Sequence, residues 1–169
     1  ASAVDMALKL LLKDIDLASP TSILRPAGLG CRDTLRIEAS MPRYGHELGE
    51  GINALSCGVD FAISLDKDQD AKGEPFVGMD VRKKTQFEGG PKHKLVGLEV
   101  DGKRAARQGM GVRSGATELG TVTSGCVSPT LGKSIAMAFV AKGHTDVGTT
   151  VQVDTGKGAI LDAKIVPMP

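Results

Sequence analysis

Arg32, Asp33, Arg36 and Glu38 stand within seven positions of the stretch GLGCRDTLRIEASMPRYGHEL, residues 28–48, threaded through Leu35, Ile37, Ala39 and Met41. On a helix Arg32 and Arg36 share a face at i and i+4, and Asp33 can pair with Arg36 at i and i+3. The group admits two readings. One is a water-facing, salt-bridged helix, whose exposed ion pairs contribute only ~0–1 kcal/mol each. The other is the wall of a site, where a partly buried arginine grips a planar carboxylate or the edge of a heteroaromatic ring through two parallel hydrogen bonds. Charge pattern alone favours the solvated helix, although the apolar residues leave limited room for a purely wet face.

The remaining chemistry-bearing residues are sparser. Cys31, Cys57 and Cys126 lie far apart with no CxxC pair and no clustered histidines, so neither a zinc site nor a disulfide framework is expected. Cys31 and Cys57 read as buried or partly buried structural thiols rather than nucleophiles, the nearest base in sequence being His46. His93, between Lys92 and Lys94, and His144, in KGHTD, read as solvated; His46, close to the only tyrosine, Tyr44, is the least ordinary of the three. GLGCRD lacks the third glycine of a dinucleotide fingerprint and GVRSGATELG lacks the Lys-Ser/Thr of a P-loop, so nucleotide binding through either is not expected.

These residues need elements to hold them. The 169-residue chain is 41% hydrophobic, enough for a buried core, and its 21 Lys and Arg against 20 Asp and Glu leave a net charge of +1. No global field invites nucleic acid or a membrane surface, and no apolar run approaches the roughly 18–20 residues that span a bilayer. The spacing predicts a first helix over about 2–15, and ASAVDMALKLLL reads as helix interior rather than a natural start, so an upstream half is expected. A turn-rich link, LASPTSILRPAGLG, leads to the charged stretch, where Leu35, Ile37 and Ala39 alternate like a strand while Leu29, Arg32, Asp33 and Arg36 share a helical face; the bounding glycines and Pro42 favour a short helix. Val59, Phe61, Ile63 and Leu65 alternate as in a half-buried strand. EPFVGMDVRKKTQ predicts a helix with Pro75 in its first turn.

Beyond about residue 90 short strand-like runs alternate with glycine turns: KLVGLEV, ELGTVTSG, KSIAMAFV, GTTVQVDT and GAILDAKIV. Asp101-Gly102 and Thr155-Gly156-Lys157-Gly158 read as hairpin turns. The pattern predicts an α+β fold: an α+β piece over 1–88 followed by a small antiparallel β-barrel or sandwich over 89–169.

Two blocks of residues go further. PAGLGCRDTLRIEASMPRYGHEL resembles the PAGL-x-x-RD-[ST]-LR-[LI]-EA…YG-x-[DE]-[LM] segment of the T proteins of the glycine cleavage system, the tetrahydrofolate-dependent aminomethyltransferases. GTVTSGCVSPTLGKSIAMAFV resembles that family's G-x-VTSG-x-x-SP-[TS]-L-x-x-x-IA-[ML]-[AG]-[YF]-V, and KHKLVGLEVDGKRAARQGMGV resembles the start of its C-terminal barrel. The resemblance implies that residues 1–88 are the end of a folate-binding domain, with the catalytic aspartate in the missing N-terminal half of the same protein. It implies tetrahydrofolate as cofactor, lipoylated H protein as partner and no metal. Transfer of the aminomethyl carbon from the lipoyl arm to tetrahydrofolate would give methylene-tetrahydrofolate and ammonia, in the bacterial cytoplasm or the mitochondrial matrix.

Carried over by position, Arg32 matches the folate-contacting arginine of the RD step, and Phe61 matches an aromatic near folate that is typically Trp. The TSG-containing block is expected to serve as scaffold, with Gly125 and Pro129 as turn residues. Related folate-dependent demethylases and the folate-binding ends of sarcosine and dimethylglycine dehydrogenases share the fold, as does an iron–sulfur assembly protein whose KGC-x-x-GQE signature is absent here. A structural fragment inactive by itself is the reading from outside the enzyme class.

Overall fold

The computed structural model describes residues 2–12, 27–69 and 73–169, and the chain divides into two compact units, Ala1–Asp33 and Thr34–Pro169. In the first unit helix α1, Ala3–Leu11, opens with a reciprocal cap: the Asp5 N–H donates to Ser2 Oγ and the Ser2 N–H to Asp5 Oδ2. It lies within the helix expected over 2–15; Ile15 and residues 17–26 of the proline-rich link lie outside the described residues.

Helix α2, Leu29–Glu38, is the helix expected in the charged stretch. It stops where the Ser40 N–H bonds the Ile37 carbonyl and the Met41 N–H the Arg36 carbonyl, with Ser40 at φ +53. These two hydrogen bonds close the last turn on orphan carbonyls, and Pro42 prevents its resumption.

The strand expected over Val59–Leu65 does not form. Residues 54–69 instead make three 3₁₀ turns, Ala54–Ser56, Asp60–Ala62 and Lys67–Gln69, and Phe61 is 89% exposed. An alternating pattern becomes a strand only where a neighbouring edge takes its backbone groups, and the sheet that follows closes on itself. Helix α3, Met79–Phe87, begins later than the Pro75 signal implied because Gly78, at φ +82, caps its start instead of sitting inside it. Among the described residues no helix is long and apolar enough to cross a membrane.

Six antiparallel strands then close a barrel: β1 His93–Val100, β2 Gly111–Ser114, β3 Thr117–Ser128, β4 Lys133–Ala141, β5 Thr150–Asp154 and β6 Ile160–Val166, in the order β1-β4-β3-β2-β5-β6. Its interior is lined by Val96, Leu98, Val100, Val112, Val122, Val140, Val153 and Ile165 among others. Of the barrel and the sandwich that the strand pattern allows, the closed barrel forms, as the family resemblance implied. The short β2 was not anticipated, and Asp101-Gly102 makes no hairpin: β1 pairs with β4 and β6, so the turn leads into an irregular segment instead. The Thr155–Gly158 turn does join the paired strands β5 and β6.

Two features of the barrel prepare the site. A bulge between Val122 and Ser124 in β3 breaks the strict alternation of side chains. On the barrel's outer face Leu95 and Met137 pack with Ile37 from the end of α2. Close approach fixes Gly120, where a Cβ would meet the Phe139 carbonyl oxygen at 1.9 Å. Gly120→Ala is expected to destabilise the chain by about 1 to 3 kcal/mol through this backbone clash, read as a lower urea midpoint at an unchanged m-value.

Candidate functional site

Glu47 is fully buried, 0% exposed, in a loop that sequence reading took as the tail of the charged stretch. Its carboxylate accepts four hydrogen bonds. Oε1 receives Thr123 Oγ1 at 2.7 Å and Ser124 Oγ at 2.5 Å; Oε2 receives Arg36 Nη1 at 2.7 Å and the Arg43 N–H at 3.0 Å. Burial alone would raise this carboxyl. The Ser124 and Thr123 hydroxyls, the Arg43 N–H and the Arg36 charge together outweigh it and hold the group below the usual glutamate range.

The bulge makes this possible. In regular pleating Thr123 and Ser124 would point to opposite faces of the sheet, whereas here both hydroxyls reach one carboxylate. Arg36, from the last turn of α2, spans the seam: its Nη2 donates to Ser124 Oγ at 2.6 Å while Nη1 holds Glu47. Helix spacing allows Arg36 a partner in Asp33; the fold adds Glu47, eleven positions away.

His46 completes the seam. Its Nδ1 lies 3.0 Å from the Thr123 carbonyl oxygen, which can only accept, and its Nε2 faces the Arg43 guanidinium, which can only donate. These partners assign the proton to Nδ1 and the lone pair to Nε2. His46 is thus a junction between loop and barrel. Glu38, two residues beyond Arg36, bonds Ser128 and Thr130 at the far end of β3; the Ser128 hydroxyl is the leading cause of its lowered carboxyl pKa, followed by opposing burial and then the Thr130 contacts. Helix α2 is thereby tied to one strand at two places.

The TSG block is more than turn chemistry. Gly125 sits inside β3, where a Cβ would meet the Ala106 carbonyl oxygen at 2.4 Å, so close backbone approach requires it. Pro129 does open the β3–β4 turn. Cys57 is buried as expected, its thiol pushed up by burial and by the Glu47 charge against the opposing Arg82, and Sγ donates to the Asn53 carbonyl. Cys31 departs from the expectation: it lies on the exposed side of α2. His93 and His144 are exposed.

The two residues carried over by resemblance are placed in separate units. Arg32 is exposed on α2 in the first unit; Phe61 stands on the Asp60–Ala62 turn in the second. Val59, Ala62, Ile63 and Phe76 line an open cleft of about 530 Å³ beside that turn, with Lys67 and Arg82 supplying positive charge. Sequence reading missed Glu47, Arg43, Thr123 and Ser124, since no local spacing joins positions 76 apart.

Residues 93–169 match the family model described as the glycine cleavage T-protein C-terminal barrel domain. The chain is 44% identical over 146 residues to an aminomethyltransferase from Symbiobacterium thermophilum, covering 86% of this chain and 37% of that protein. It is 44% identical over 147 residues to one from Saccharopolyspora erythraea, covering 86% and 38%. The crystal structure of glycine cleavage system aminomethyltransferase T from Bartonella henselae superimposes with a TM-score of 0.81 at 24% identity, covering 99% of this chain and 43% of that one. This chain thus spans well under half the length of the relatives it matches.

Glu47→Gln is expected to destabilise the chain by about 3 kcal/mol, because the buried carboxylate on which four donors converge loses its charge and one of its acceptors, as measured by urea unfolding at pH 7. Because the folded carboxyl titrates lower than an unfolded glutamate near about pH 4.3, its contribution is complete above that value. It falls away as the pH drops from there to the lower folded pKa. Unfolding followed from pH 6 to 3 should show this acid loss in the native chain and a flatter slope in Glu47→Gln.

Proposed function

The chain belongs to the glycine cleavage T-protein family through its C-terminal barrel, and from that premise we propose that it forms the C-terminal portion of a tetrahydrofolate-dependent aminomethyltransferase. The observation that carries this reading is the agreement with aminomethyltransferases across both the charged stretch and the barrel. In the complete protein the reaction moves the aminomethyl carbon from the lipoyl arm of a carrier H protein to tetrahydrofolate, with release of ammonia.

Tetrahydrofolate supplies the nitrogens that accept the one-carbon unit; the residues of this chain bind and orient it. Arg32 contributes a fixed cation to the ligand's carbonyl edge or carboxylate, and Phe61 contributes a stacking face without the indole N–H of the family's usual tryptophan. Positioning of this kind accelerates group transfer by holding donor and acceptor in near-attack geometry. The aspartate that activates the folate amine belongs to the upstream half, so this chain by itself is proposed to be inactive.

Surface chemistry supports that division. The barrel buries its apolar residues well, whereas Val77 is 100% exposed and Phe61 and Phe87 nearly as much. Side chains of this size left in water around one helix and one turn fit a surface covered by another part of the longer protein. A folate-dependent demethylase built on the same fold would share these features and differ in the one-carbon donor.

In a full-length version, Arg32→Ala is expected to weaken tetrahydrofolate binding by about 1 to 3 kcal/mol, the range for a lost charged hydrogen bond, with unchanged unfolding; unaltered affinity in calorimetry would remove Arg32 from the site. Phe61→Trp should tighten the complex. Micromolar tetrahydrofolate binding by the isolated chain would contradict the need for the upstream half.

A further inference from the structure

An open cleft of about 560 Å³ lies on the outer side of the barrel, between the loop before β2, the β2–β3 hairpin and the end of β5. Arg113, on β2, lines it. Its Nη1 pairs with Asp154 Oδ2 at 3.2 Å, and the other oxygen of Asp154 accepts the Gly156 N–H at 2.8 Å, so Asp154 is engaged on both sides. Arg113 Nε is different: among the described residues it is the one buried side-chain polar atom with no hydrogen-bond partner. A guanidinium N–H without an acceptor in a folded protein calls for an explanation, and an oxyanion not belonging to the chain is a physical one.

The cleft also holds a charge of the opposite sign. Glu118 lies directly across from Arg113 in the β2–β3 register, yet it makes no ion pair or hydrogen bond among the described residues. A purely anionic ligand seated on Arg113 would meet this carboxylate and be repelled, and a purely cationic one would meet the guanidinium. A molecule carrying a carboxylate and an ammonium a few bonds apart satisfies both, and the adjoining Met110 and Ala116 offer apolar surface to a side chain.

We propose that this cleft binds a zwitterion of the α-amino-acid type, its carboxylate on the open edge of Arg113, its ammonium on Glu118 and its side chain along Met110 and Ala116. Asp154 keeps its place as the clamp that orients the guanidinium. The site lies entirely on the barrel and does not depend on the folate reading.

Titration of the 169-residue chain with L-methionine, followed by backbone amide chemical shifts, tests this. The expected result is saturable binding that moves amides of residues 107–118 and 154–156, with acetate and methylamine, the two half-ligands, each binding at least tenfold more weakly. Glu118→Gln, an exposed change that leaves the fold intact, should weaken L-methionine at least tenfold and leave acetate unchanged or tighter. Acetate binding as strongly as L-methionine, an unaltered affinity in Glu118→Gln, or no saturable shift around Arg113 would each overturn the proposal.

Discussion

A single buried carboxylate sets the geometry on which the rest of the second unit depends. Glu47 is excluded from water and would be strongly destabilising without partners, since a lone buried charge costs several kcal/mol. Its four donors come from the end of α2, its own loop and two neighbouring residues of β3. Each donor is useless to the carboxylate unless the other segments are already in register, so the loop, the helix end and the strand are fixed together or not at all.

The barrel makes that arrangement possible by departing from regularity. A bulge turns Thr123 and Ser124 toward the same side, and Gly120 and Gly125 let backbones approach where any Cβ would collide. Outside the barrel the double hydrogen bond at Ser40 ends α2 at the point that sends the chain back toward β3 as the Arg43–Leu48 loop. Glu38 then holds the same helix at the far end of the same strand. The charged stretch is therefore divided: Arg36 and Glu38 tie the helix to the barrel, and Arg32 stays exposed.

That division sharpens the functional reading. The proposed role in orienting a ligand asks for rigid support, because catalysis by positioning depends on fixed geometry. Here rigidity comes from polar groups sealed between helix end and barrel, while the exposed aromatic and apolar side chains of the 54–87 region face outward. A well-filled barrel stands beside exposed Phe61, Val77 and Phe87 in a chain that spans 37 to 38% of the two aminomethyltransferases compared with it.

Much of this was legible in the residues themselves. Alternating apolar positions gave five of the six strands, because a half-buried strand needs that period whatever its partners; the helix at 29–38 and the turn at 155–158 followed from local chemistry in the same way. The family itself was carried by two motifs. The alternation at Val59–Leu65 misled, since period two is necessary for a strand but pairing is what makes one, and the closed barrel has no edge to offer. The seam was invisible for a related reason: Glu47 meets Thr123 and Ser124 across 76 and 77 positions, and only the folded chain brings them together. Sequence alone determined which segments could form elements and which family they belong to; tertiary structure alone decided that Arg36 pairs with Glu47, because a bulge and a buried carboxylate depend on contacts no local pattern encodes.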